Sequence, residues 1–263
     1  WDCFDVGMVK SVGKFSFWIA LIMIEQRFII PLAPTILGRY SNSIEIGIFS
    51  IATTVEGYVY TISSCLNGLF LPKLTKMEIE NKRKDINNLF ILVGRIQAVI
   101  IGLLITVFVV FGKEFITAWV GNEFEKSYWP ILLLISPTII TYAQEVANSI
   151  LMIEHEKLKY KVICYGVGVI ISTIVSCVLA PRYGALGSAI GIAICIWTSH
   201  VILMNIVYEK TTFLDIKAFF SEVYTKLVPV IFFLSAIGII INNHFNRNST
   251  IFLILKMAAF TVL

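Results

Sequence analysis

The chain has 263 residues, 57% of them hydrophobic and 14% charged, with a formal net charge of +4 and a mean hydropathy of +0.84. Ordinary globular domains run at about 45–50% apolar and about 25% charged, so this much apolar surface needs lipid around it rather than a single soluble core. A soluble protein is thereby excluded, and the small positive charge, gathered between apolar runs, argues for no nucleic-acid partner.

A helix needs about 20 residues to cross a hydrocarbon layer. Apolar runs suited to crossing fall at Phe15–Ile36, Ile44–Leu71, Leu89–Phe111, Trp129–Ile153, Val162–Ala180, Ala185–Tyr208, Leu227–Ile241 and from Thr250 onward. The expected fold is an all-α integral membrane bundle of about eight spans, the last one cut short at Leu263. Because the chain opens on Trp1 without a signal-peptide layout and stops inside an apolar run, it is expected to be a segment of something longer.

The connections carry the orientation, since Lys and Arg gather in short loops on the cytoplasmic side. One alternate set of connections holds Lys10, Lys14, Lys73, Lys76, Lys82, Arg83, Lys84, Lys157, Lys159, Lys161, Lys210, Lys217 and Lys226; the other holds Arg39, Lys113, Lys126, Arg182 and Arg247. This asymmetry puts the amino end of the segment in the cytoplasm. The longest loop on the opposite side, Lys113 to Trp129, carries Trp119, Tyr128 and Trp129, which suit the aromatic belt of a membrane interface.

The first span holds Glu25 and Arg27, two apart and therefore pointing in different directions, so any ion pair must reach another helix; Glu56 and Glu145 are the candidates. It also holds Pro31 and Pro34, as the fourth holds Pro130 and Pro137 and the seventh Pro229. Each interior proline removes a helical hydrogen bond, which serves a hinge or a static kink equally well.

The second span carries Thr53, Glu56, Tyr60, Ser63 and Asn67 at steps of three and four, and the fourth carries Thr138, Thr141, Glu145, Asn148 and Met152 in the same rhythm. Residues so spaced share one helix face, which gives each span a polar stripe turned from lipid. A charge at the bilayer centre costs on the order of 3 kcal/mol, so such groups face a bundle interior or a wet path. Glu25, Arg27, Glu56, Arg95 and Glu145 form this set. Interhelical hydrogen-bond glue and cavity lining both fit them, and Arg95 lies close enough to its helix end to snorkel.

Gly184, Gly187 and Gly191 in PRYGALGSAIG space small residues for close helix approach. Cys3, Cys65, Cys164, Cys177 and Cys195 show no metal-binding spacing, and His155, His200 and His244 are scattered. The sequence contains no GxSxG, HExxH, paired CxxC, P-loop or dinucleotide fingerprint, so an enzyme is possible but has no positive evidence, and neither a cofactor nor a metal is expected.

Several segments, taken in order, are similar to the oligosaccharide-lipid flippases of the multidrug/oligosaccharidyl-lipid/polysaccharide exporter superfamily. They are EQRFII at Glu25–Ile30, GRYSNSIEIGIFSIA at Gly38–Ala52, LPKLTK at Leu71–Lys76, AWVGNEF at Ala118–Phe124 and PRYGALGSAIG at Pro181–Gly191. The resemblance implies a fourteen-span O-antigen or polysaccharide exporter, of which this segment is the second lobe and the last helix pair. Residues 1–14 would then be a cytoplasmic lead-in, 15–208 a six-helix lobe and 209–263 the final pair. Where the family often sets an acid just before the basic residue of EQR, this chain has Gln26, with Glu25 one place earlier.

The resemblance further implies flipping of an undecaprenyl-diphosphate-linked oligosaccharide across a bacterial inner membrane, through a cavity shared with an N-terminal lobe. Membrane lipids and a polysaccharide polymerase would be its neighbours. Arginine's planar fork suits a diphosphate, which makes Arg27 and then Arg95 the candidate anion contacts. Tyr60, Asn67 and Asn148 are the candidate sugar contacts, and Glu25, Glu56 and Glu145 the candidate ion-coupling or cavity carboxylates. A drug or metabolite exporter of the same superfamily is the rival reading, and a membrane-embedded glycosyltransferase or polymerase the second.

Overall fold

The computed structural model describes residues 6–153 and 157–244, and among them every regular element is a helix. In chain order these are α1 (Val6–Ile29), α2 (Leu32–Tyr40), α3 (Ser43–Ile79), α4 (Arg83–Val120), a 3-10 turn (Asn122–Ser127), α5 (Tyr128–Ile135), α6 (Thr138–Thr141), α7 (Glu145–Ile153), α8 (Leu158–Cys195), a π-helical stretch (Ile196–Leu203), α9 (Met204–Thr211) and α10 (Ile216–His244).

Local chemistry accounts for the breaks. Pro31 interrupts the first run, since its nitrogen cannot donate and its ring crowds the carbonyl four residues back. Asn42, extended at φ −114°, caps α3 by accepting from the Glu45 N–H at 3.0 Å. Asn81 turns the chain between α3 and α4 at φ 54°, and Gly121 ends α4 at φ 101°. Pro137 then separates α5 from α6.

Four stretches are long and apolar enough to cross a membrane: Val12–Tyr40, Arg83–Val120, Leu158–Thr211 and Ile216–Ile240. A fifth is the bent run in which Asn122–Thr141 meets Glu145–Ile153 at 60°. The chain is therefore an all-α, multi-pass membrane protein. The second expected span lies on α3, whose 37 residues nearly match the 38 of α4 but whose polar content keeps it below that standard. The eighth, from Thr250, lies outside the described residues, as do Cys3, His155, Arg247 and Lys256.

The 54 residues of Leu158–Thr211 do not form one rod, which would be about 80 Å long at 1.5 Å per residue. Gly184, at φ 55° and ψ −132°, folds the run back on itself. Tyr165 stacks on His200 with ring centroids 4.1 Å apart. A Cβ on Gly168 would meet Ser199, one on Gly191 would lie 2.3 Å from Ser176 Oγ, and one on Gly187 would lie 2.6 Å from the Leu179 backbone. The two limbs, 158–183 and 185–211, are thus an antiparallel hairpin, and Gly187 and Gly191 are the close-approach positions that their spacing suggests. Gly184 serves the turn instead. Its neighbour Ala185 donates its N–H to Glu45 Oε2 at 2.7 Å, tying the turn to the start of α3.

Helix α10 lies along α4, where a Cβ on Gly94 would fall 2.2 Å from the Phe219 ring and one on Gly102 2.7 Å from Ile231. Phe90 stacks on Phe219 at 4.2 Å. The connections collect at two ends. Ser41 reaches the Ala180 carbonyl, and Gly47 approaches Phe124. At the other end Lys157 donates to the Thr211 carbonyl, the Asp215 N–H donates to Asn87, and Arg83 lies over the Phe213 ring.

Candidate functional site

Most of the polar residues singled out on the spans meet partners from other helices. Glu56 on α3 accepts a hydrogen bond from the Tyr142 hydroxyl at 2.5 Å, and Tyr60 meets the edge of the same ring at 5.7 Å. Asn67 accepts from Gln97 of α4, which is 1% exposed. Ser63 is buried beside them without a hydrogen-bond partner for its oxygen among the described residues. This side of α3 therefore closes against α4 and the bend of the α5–α7 run.

The second stripe builds a larger cluster. Asn148 donates to Glu145 Oε1 at 2.8 Å and accepts from Lys161 Nζ at 2.6 Å. Lys161 is 2% exposed, with its ammonium 5.2 Å from the Tyr165 ring centroid and 3.7 Å from Met152 Sδ. Tyr165 also stacks on His200, whose Nδ1 lies 2.8 Å from Ser199 Oγ. Two helix irregularities flank the cluster: the bend before Glu145, and the π-helical stretch that carries His200. Gln144 and Asn205 pair their amides reciprocally next to it, at 2.7 and 3.3 Å.

The sequence reading counts Lys161 with a basic loop. Its place one turn inside α8, at the edge of an apolar run, disguised a buried cation. Its proper signal was the polar stripe of α7, which had to face something.

The remaining carboxylate, Glu25, and the two arginines do not come together. Glu25 is half-buried against α8, its Oε1 3.0 Å from where a Gly166 Cβ would sit, and its Oε2 has no hydrogen-bond partner among the described residues. Arg27 is exposed on α1 and makes neither of the ion pairs expected with Glu56 or Glu145, both of which bond elsewhere. Arg95 pairs with Glu222 of α10 at 3.1 Å, with both side chains about half exposed. Of the loop aromatics, Trp119 and Trp129 are exposed, whereas Tyr128 is buried and donates to the Val109 carbonyl at 2.9 Å. No group of three or more His, Cys, Asp or Glu side chains able to hold a metal ion occurs among the described residues.

Neither a curated protein nor a solved structure matches the chain. Residues 3–129 match the model of a family described as "polysaccharide biosynthesis protein", a stretch that takes in Arg27, the whole of α3 with Glu56, Tyr60 and Asn67, and Arg95. The match supports a role in polysaccharide biosynthesis or export for this multi-pass membrane protein.

Proposed function

We propose that the chain is the carboxyl-terminal part of a flippase that moves an undecaprenyl-diphosphate-linked oligosaccharide across the cytoplasmic membrane for surface polysaccharide. It acts as a transporter and not as an enzyme. The observation that carries this reading is Arg27, an exposed arginine on a membrane-spanning helix inside the stretch that matches the polysaccharide family. An intramembrane cation is costly unless it faces a wet path or a counter-ion. A lipid diphosphate would be such a counter-ion, and arginine's fork binds it bidentately.

On this reading the segment has eight spans, with residues 1–14 leading in from the cytoplasm, 15–208 forming a lobe and 209–263 the final pair. A missing amino-terminal lobe completes the cavity. The end of the bundle where Arg83, Lys157 and the α9–α10 connection meet carries most of the basic residues, which supports its being cytoplasmic. Glu56 and Glu145 are tied to Tyr142 and Asn148, so Glu25, with a buried oxygen that has no hydrogen-bond partner among the described residues, is the carboxylate best placed to take a coupling proton or cation. An exporter of organic cations would need open carboxylates, and these bonds leave it few.

In a flippase-deficient strain supplied with the native glycan genes, the full-length parent restores surface polysaccharide and its Arg27→Ala variant, at equal membrane abundance, does not. Full restoration by Arg27→Ala would remove Arg27 from the site.

A further inference from the structure

The stripe on α3 that bonds to Tyr142 and Gln97 is one flank of a wider polar surface, and the adjoining flank is open. At 3.6 residues per turn, Ser50, Thr54, Gly57, Thr61, Ser64 and Gly68 fall within an arc of about 80°. Ser50, Thr54, Thr61 and Gly68 are exposed, and the space beyond Gly57 and Gly68 is empty to 4 Å. The exposed flank of the 158–183 limb is of the opposite character, carrying Ile163, Ile170, Ile174 and Val178. Lipid suits that flank. It does not suit the α3 arc, which between Ser50 and Gly68 has no apolar side chain.

The hydroxyls of the arc share one state. Ser50 donates to the Ile46 carbonyl at 2.8 Å, Thr54 to Ser50 at 2.8 Å, Thr61 to Gly57 at 2.8 Å and Ser64 to Thr61 at 2.9 Å. A hydroxyl has one proton and two lone pairs, so each oxygen that has given its proton to the backbone faces outward as an acceptor. The arc is therefore an uncharged row of acceptors with glycine gaps between them. It complements a neutral ligand rich in hydroxyl donors. It offers nothing to an anion, because no proton points outward, and no carboxylate to a cation.

We infer that this open face of α3 is a hydrated wall within the membrane that contacts the glycan head group of the cargo, the hydroxyls of Ser50, Thr54, Thr61 and Ser64 accepting from sugar hydroxyls. The inference rests on the flippase reading and assigns sugar contact to a different set from Tyr60, Asn67 and Asn148, two of which are bonded to neighbouring helices.

The chain carries its own reporters. Cys65 is exposed beside the arc, and Cys177 is exposed on the apolar flank. In membranes containing the full-length protein, with all other cysteines replaced, a membrane-impermeant maleimide labels Cys65, and likewise Thr54→Cys in a background lacking Cys65, because the reagent requires a hydrated thiolate. Cys177 alone stays unlabelled. Thr54→Val and Thr61→Val, which keep shape and remove the acceptor, each lower glycan export about fivefold, the worth of one neutral hydrogen bond. Thr173→Val makes the same change on a hydroxyl bonded to Val169 and leaves export unchanged.

Unlabelled Cys65 and Thr54→Cys would mean that the face packs dry against another helix, which overturns the hydrated wall. Labelled cysteines with full export by both valine variants would overturn the glycan contact alone. If the wild-type parent restores no export, the flippase reading falls and the glycan contact falls with it.

Discussion

Lys161 shows how a single buried side chain ties two helices, α7 and α8, together. Its ammonium is buried, Asn148 bridges it to Glu145, and Tyr165 closes the other side. Breaking a buried pair by removing one partner costs on the order of 3–5 kcal/mol, because the remaining charge is stranded. Lys161→Met is therefore expected to lower the thermal unfolding temperature of the purified full-length protein sharply, and adding Glu145→Gln should restore much of the loss. A double variant no more stable than the single one would show that the two charges are not coupled. Residue types and spacing made Glu56, Asn67, Glu145 and Asn148 legible as groups that avoid lipid. Their partners Tyr142, Gln97 and Lys161 were not legible, because no spacing within one helix tells which neighbour it meets.

At the scale of elements, the Gly184 hairpin and the interrupted runs shape the bundle. Gly184 occupies a backbone region closed to other residues, and a Cβ there would fall 2.2 Å from Glu45 Oε2, the atom that accepts from Ala185. Gly184→Ala is expected to cost about 1–3 kcal/mol in backbone strain and to weaken the tie between α3 and the hairpin. Thermal unfolding in detergent measures it, with Gly57→Ala, where the added methyl meets open space, as the comparison. Equal stability of the two variants would contradict the account of the turn. Apolar periodicity placed the two limbs at Val162–Ala180 and Ala185–Tyr208, and the structure folds the chain between them. What periodicity could not reveal was the helix type: a π-helical stretch and a continuous helix carry the same apolar residues. Nor could it reveal that α3 is open along one polar flank and closed along the next, since both are polar and differ only in what stands opposite.

For the whole molecule, the alternation of basic and less basic loops predicts the membrane orientation. Reporter fusions to the full-length protein after Asn81 and after Thr212 are expected to read cytoplasmic, and fusions after Gly121 and Tyr183 to read external; the reverse pattern would invert the membrane orientation. On the proposed flippase function, the full-length protein carries a lipid-linked oligosaccharide across a bilayer. The most direct measurement places the purified protein in vesicles loaded with undecaprenyl-diphosphate oligosaccharide and follows, with an impermeant lectin outside, the sugar that starts on the inner leaflet. Inner-leaflet sugar is expected to become accessible with the wild-type protein well beyond the rate of protein-free vesicles, and Arg27→Ala to abolish the gain. Sugar that stays inside at the protein-free rate, with correctly folded and oriented protein in the vesicles, would contradict it.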